Sequence, residues 1–230
     1  MKPIRDTYSH RGDFARKRKR VKNALIALGF IVAIMLVARS RNAVGEARAE
    51  DTFSFGLTSE SRRLRDALGE AQGELDLARN QLDRANKVIA FSGKYHVTAD
   101  LAGSIYDIAM QEGIEPDLGF RLVKLESEFN EHATSPVGAV GLTQVMPATA
   151  RFFVKSATRE SLYDRETNLR IGFKYLRTLI REYKGNLKIA LLVYNRGPAA
   201  VDAALDMGLD PANGYDRIVM KGYRGRGTVD

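Results

Sequence analysis

Apolar and polar residues are arranged in three ways along these 230 residues, and each arrangement predicts a different element. From Ala24 to Ala38 fifteen apolar residues follow one another without interruption. As a helix they rise about 22 Å, and counting from Val21 brings the rise to about 27 Å, slightly thin for a bilayer core of roughly 30 Å. Lys22, Arg39 and Arg41 stand at the ends, where long basic side chains carry their charge to the headgroups. The run predicts a transmembrane helix at 24–38.

From Leu64 the pattern becomes periodic. Leu64, Leu68, Ala71, Leu75, Ala78, Leu82, Ala85 and Ile89 recur at alternating spacings of four and three, a heptad seam. With Leu68, Leu75, Leu82 and Ile89 at position a, Glu74 falls at g and Arg79 at the following e, where a second copy of the helix would pair them. Alanine at three d positions, with Gly69 and Gly73 in the helix, leaves open a single amphipathic helix folded against its own domain. The stretch FSGKY is expected to break the helix near residue 93.

Beyond that point apolar residues recur every three or four positions in short segments divided by turn residues, with no alternating strand pattern. The expected class is all-α. Thr98 caps a helix reaching about Gln111, and Pro116 opens the next. Later helices are expected at 148–153, 168–183, 187–195, 198–207 and 216–221. On the helix from Pro116, Gly119, Leu122, Val123, Glu126, Phe129 and Asn130 share one side. Glu126 therefore interrupts an apolar stripe, whereas Glu128 shares a solvated face with Arg121, Lys124 and Glu131. A carboxyl denied water holds its proton to higher pH, which is what a general acid requires. Periodicity alone is equally compatible with a buried glutamate held by a structural donor.

Charge changes the picture once. The net charge of +8 and pI near 9.7 raise the prospect of nucleic acid. Residues 1–41, however, hold eleven Lys/Arg against Asp6 and Asp13, and the remainder carries 25 basic and 26 acidic residues. The body of the protein is electrically balanced, so no nucleic-acid partner is expected. Nine basic residues precede the apolar run and three follow it closely, which places the N-terminus in the cytoplasm by the positive-inside rule. A cleaved signal peptide is the rival reading, through the small-residue pattern Ala47-Arg48-Ala49. With no cysteine, disulfides and thiolate metal sites are excluded.

Four ordered motifs, ESEFN, ATSPVGAVGLTQVMPATA, NLRIGFKYL and VYNRGP, spread over about residues 100–222. Together they resemble the catalytic domain of the soluble lytic transglycosylases, a lysozyme-like family acting on peptidoglycan. The resemblance implies a cleft in a helical lobe with the glutamate of the Glu-Ser pair, Glu126, as the one catalytic acid/base. It also implies that Ser135, Gln144 and Met146 line the saccharide groove and that Tyr194 and Asn195 sit beside the acid. The implied reaction cuts the β-1,4 bond between N-acetylmuramic acid and N-acetylglucosamine without water, leaving a 1,6-anhydro end. A hydrolytic muramidase of the same fold and a non-catalytic glycan-binding scaffold are the competing functions.

Three positions depart from the family pattern: Thr143 stands where Met is common, and Val193 and Arg196 stand where the motif has Ala. Arg196 either reaches the anionic peptide stems of the glycan or points into solvent. Asp164 and Glu166, the remaining acids weighed as partners, have polar loop-like surroundings that favour capping or surface roles. His10, His96 and His132 lack metal-ligand spacing, and no cofactor is indicated. The expected organisation is a cytoplasmic basic tail at 1–23, the membrane anchor at 24–38, a periplasmic linker and coiled-coil-like helix at 39–93, the catalytic domain at 94–222 and a flexible tail at 223–230. The chain is thus read as a single-pass protein of a bacterial inner membrane, with its catalytic domain in the periplasm.

Overall fold

The computed structural model describes the backbone of residues 10–229, and the side chains of these except 10–21, 24 and 42–57. The basic tail expected at 1–23 thus lies outside the described side chains but for Lys22 and Asn23. Among the described residues all regular structure is helical, as the pattern predicts: α1 (His10–Tyr95), α2 (Ala99–Gln111), α3 (Pro116–Ser127), α4 (Pro147–Phe153), α5 (Arg165–Glu182), α6 (Leu187–Arg196), α7 (Pro198–Asp206) and α8 (Tyr215–Met220). A short 3-10 turn at Glu160–Tyr163 and three isolated bridges complete it. The chain divides into two compact units between Leu77 and Ala78.

In the first unit the apolar run is helical, and its described large apolar side chains, from Leu25 to Val37, are exposed. Among the described residues, however, no helix is long and apolar enough to cross a membrane. The continuously described stretch, residues 25–41, is short, because the side chains of Ala24 and of residues 42–57 are not described. The run alone rises about 22 Å against a core of roughly 30 Å, and the Val21 needed to extend it, like Ala24, is among the residues whose side chains are not described.

The second unit begins earlier than the expected boundary near 93. FSGKY does not break the helix; α1 runs through Gly93 to Tyr95 and turns at His96, whose φ is 56°. The reason is a second stripe on its last turns, Arg84, Val88, Phe91 and Tyr95, again spaced four, three, four. Val88 is buried, and Phe91 and Tyr95 stack on Phe120 of α3 at 4.3 and 5.2 Å between ring centres. Arg84 Nε donates to Asp107 of α2 at 2.7 Å. The heptad residues Leu82 and Ile89 stay exposed, so in this unit the seam is not the face that packs against the domain.

Around that clamp α2, α3, α5 and α6 close a core in which Phe120, Leu122, Phe173, Leu176 and Leu191 are fully buried. Local chemistry sets the helix starts. Thr98, Asp164 and Asn186 each accept a backbone N–H three residues on, and Pro116, Pro147 and Pro198 occupy first turns. A smaller cluster of Val140, Val145, Ala150, Leu162 and Ile171 underlies the loops before α4 and α5.

Residues 223–229 are not the flexible tail expected. Tyr223 Oη donates to Glu115 Oε2 at 2.5 Å, the Arg226 amide donates to Glu115 Oε1 at 2.9 Å, and Ile114 bridges Thr228. Glu115, just before α3, thus finds two donors in a segment whose composition alone reads as a loose end.

Candidate active site

Glu126 lies in the last turn of α3, on the side carrying buried Leu122 and Val123. The helix stops two residues later because Glu128 and Phe129 adopt left-handed conformations, φ 50° and 66°. Ser127 Oγ donates to the carbonyl of Leu142 at 2.8 Å, which ties the end of α3 to the loop before α4. The Glu-Ser pair therefore combines a buried carboxyl with the hydrogen bond that fixes where it sits.

Burial raises the Glu126 pKa to about 7, and a hydrogen bond from Tyr215 opposes the rise. Tyr215 Oη donates to Glu126 Oε1. This side chain is buried at the start of α8, and its own pKa is pushed well above the usual value, first by burial and then by the carboxylate's charge. Tyr194 of α6 also feels Glu126. Its hydroxyl donates to the Thr143 carbonyl at 2.8 Å, and its pKa is pushed well above normal by burial, then by the Glu126 charge. No other carboxylate is among the groups that shift Glu126. An acid near half protonation at neutral pH, aimed by a tyrosine, can both give and take a proton.

A cleft of about 250 Å³ is lined by Gln144, Met146, Thr149, Tyr175, Tyr194, Asn195 and Arg196; Glu126 is not among its lining residues, and Tyr194 is the side chain that links the two. Four of the five expected groove residues therefore come together. Ser135 is not among those lining this cleft: its Oγ accepts the Ala139 amide at 2.9 Å and closes the 135–139 turn. Gln144 has φ 47°, a conformation costly for a side-chain-bearing residue. Its Nε2 donates to the carbonyls of Gly141 and Ala133 at 2.9 and 3.2 Å, which offsets the strain and leaves Oε1 free to accept. Asn195 Oδ1 accepts from Asn213 at 2.8 Å.

Two of the three departures have hydrogen-bonded settings. Thr143 is fully buried; its N–H and hydroxyl both donate to Asn168 Oδ1, at 2.8 and 2.7 Å, and a Cβ on Gly172 would come within 2.3 Å of its hydroxyl. Asn168 Nδ2 in turn donates to the Val140 and Leu162 carbonyls. Gly141 is required beside this amide, since its φ is 75° and a Cβ would lie 2.2 Å from Asn168 Nδ2. Arg196 is exposed and lines the cleft, and its Nη1 donates to the Pro211 carbonyl at 2.6 Å. Asp164 caps α5 and Glu166 pairs with Arg170 at 2.7 Å, both structural roles.

Sequence reasoning missed Tyr215, Ser127 and Asn168. Tyr215 stands 89 residues from Glu126 with no periodic signal linking them, although the Asn-Gly before it marks a helix start.

The family model for the transglycosylase SLT domain matches residues 104–208. The chain is 37% identical over 86 residues to the soluble lytic murein transglycosylase of Escherichia coli (strain K12), a match covering 35% of this chain and 13% of that protein. It is 34% identical over 125 residues to membrane-bound lytic murein transglycosylase C of Actinobacillus pleuropneumoniae serotype 5b (strain L20), covering 48% of this chain and 34% of that one. The chain thus spans no more than about a third of the length of these curated relatives. The crystal structure of the 70 kDa soluble lytic transglycosylase from Escherichia coli matches 54% of this chain and 23% of that chain, with 28% identity and a TM-score of 0.47.

Proposed function

We propose that, through the transglycosylase SLT domain carried at residues 104–208, this protein cleaves peptidoglycan as a lytic transglycosylase, with Glu126 as its one acid/base. The observation that carries the proposal is the Glu126 carboxyl, held near half protonation at pH 7 by burial and sensed by Tyr194, which lines a cleft of about 250 Å³. Because Tyr215 donates to Oε1, Oε2 is the oxygen that hands its proton to the glycosidic oxygen as the bond to the muramoyl anomeric carbon breaks. The resulting carboxylate takes the proton of the muramoyl 6-hydroxyl as that oxygen attacks the same carbon. A 1,6-anhydro ring closes, the leaving sugar departs with its hydroxyl, and Glu126 ends protonated.

A glycosidase that uses water or forms a covalent intermediate needs a second carboxylate; a substrate that supplies its own oxygen does not. Gln144 Oε1 accepts an acetamido N–H, Asn195 bonds sugar hydroxyls, and Met146 supplies adaptable apolar contact. Ser135 acts by shaping the turn at the groove's edge.

The exposed apolar band from Leu25 to Val37 favours attachment of the chain to a membrane. The exposed seam of Leu64, Leu68, Leu75, Leu82 and Ile89 favours pairing of α1 with a second copy. Digestion of purified peptidoglycan with native and Glu126→Gln protein, followed by mass spectrometry, tests the chemistry. Products lighter by one water than their reducing counterparts, absent with the variant, are expected. Reducing ends would assign a hydrolase instead, and unchanged digestion by the variant would remove Glu126 from the mechanism.

A further inference from the structure

The face of α3 turned away from the acid forms the wall of a second cavity, of about 420 Å³. Four cations surround it: Lys94 from the end of α1, Arg121 and Lys124 from α3, and Lys221 just past α8. Tyr95, Leu125 and Ile218 give it apolar walls, and Glu128 is the one acid lining it. Lys94 and Lys124 both lie over the Tyr95 ring, at 5.1 and 5.8 Å.

These cations are not equally available. Arg121 is committed: its Nε donates to Asp117 at 2.8 Å and its Nη1 to the Lys221 carbonyl at 2.6 Å. Lys94 donates to the other oxygen of the same Asp117 at 2.7 Å. Among the described residues Lys124 and Lys221 form no ion pair, so the cavity keeps a net positive charge. A guanidinium already engaged cannot grip a compact phosphate in two-pronged fashion, whereas separate ammonium groups act as point charges suited to single carboxylates spaced along a ligand. The apolar walls accept aliphatic side chains between those charges, and Glu128 offers a partner for an amine.

We propose that this cavity binds a peptide bearing several carboxylates and an amine, the chemistry of the stem peptides carried by the muramoyl sugars of the proposed substrate. The inference rests on that reading of the cleft for its choice of ligand. The cavity is built on α3 and the α8 segment, the two elements that hold Glu126 against Tyr215, so a ligand seated in it touches both elements that position the acid.

The test uses full-length Glu126→Gln protein in detergent micelles with ¹³C-dimethylated lysines, which keep their charge. It is titrated with a disaccharide tripeptide, with the same compound amidated at its carboxylates, with the peptide-free disaccharide, and with inorganic phosphate. The Lys124 and Lys221 signals, assigned through Lys→Arg substitutions, are expected to shift saturably with the free-carboxylate compound and about fivefold more weakly with its amidated form, the scale of a few partly exposed charge contacts. Equal shifts with the amidated or peptide-free compound, shifts with phosphate alone, or no shift would overturn the proposal. In otherwise native protein, Lys124→Glu combined with Lys221→Glu should lower kcat/KM on intact sacculi about fivefold and leave peptide-free glycan unaffected; equal loss on both would also overturn it. Binding is read in a protein lacking the acid, so failure of the catalytic reading and failure of the peptide site give separate results.

Discussion

The two sides of α3 handle charge in opposite ways. Glu126 faces the hydroxyl of Tyr215 and the buried end of Tyr194, while Glu128, two positions on and past the last turn, is exposed beside Lys124 and Lys221. The same functional group is buried against two tyrosines in one place and open to solvent in the other. The difference teaches that position relative to the apolar stripe, more than residue type, decides which form of the carboxyl is stable. Paired substitution is the strongest way to break the comparison. Glu126→Gln should lower release of glycan fragments by about a thousandfold or more, as expected for loss of the sole general acid, while Glu128→Gln stays within about twofold. If the two variants lose activity alike in a sacculus digestion, the contrast between the faces has no functional meaning.

The contrast also has a pH signature. Glu126 ionises at about 7 in the folded chain against an ordinary 4.5. Because its protonated form hands over the first proton, turnover should fall as pH rises through about 7. The stability effect has the same direction. Between 4.5 and 7 the folded state binds more protons than the unfolded, so stability due to this group is fully present below 4.5 and is lost as pH rises through 7. Urea unfolding at pH 4.5 and 8 should show this loss in the native protein, and the difference should shrink in Glu126→Gln. An unchanged pH slope in the variant would mean that Glu126 is not held as described.

Tyr215→Phe sharpens the picture of what tunes the acid. Removing the hydroxyl leaves burial unopposed, so the alkaline limb of the rate profile should move up in pH while the maximal rate falls about tenfold, the cost of losing one oriented donor to the carboxylate formed during the reaction. A limb that moves down would assign Tyr215 a different role.

How much of this was legible in the sequence follows from the range of each interaction. Glu126 stands out through neighbours three and four positions away on its own helix together with the Glu-Ser motif, and Thr98 and Pro116 mark the starts of their helices, because capping is local. Tyr215, Asn168 and the pinned tail are not legible in this way, because their hydrogen bonds reach across 25, 89 and 111 residues with no periodic signal. The end of α1 failed for another reason. Two stripes of the same period run along one helix, and the more regular heptad drew attention from Val88, Phe91 and Tyr95, which do the packing. Gly93 was read as a break, yet inside a helix clamped by stacked rings its cost of about 1 kcal/mol is easily offset.

The smallest expected effect separates the two roles of the basic side. Arg121 holds α8 by donating to the carbonyls of Val219 and Lys221, at 3.3 and 2.6 Å, whereas Lys124 touches no part of that helix through a hydrogen bond among the described residues. Arg121→Ala should therefore loosen the helix that delivers Tyr215 to Glu126. Activity on peptide-free glycan should fall about twofold to threefold, in line with one or two net hydrogen bonds, and the alkaline limb should shift in the same direction as in Tyr215→Phe, only less. Lys124→Ala should leave both that activity and that limb where they are. If Lys124→Ala moves the limb as far as Arg121→Ala does, the acid responds to the general positive field of the cavity rather than to the positioning of α8, and the two faces of α3 are coupled through charge instead of geometry.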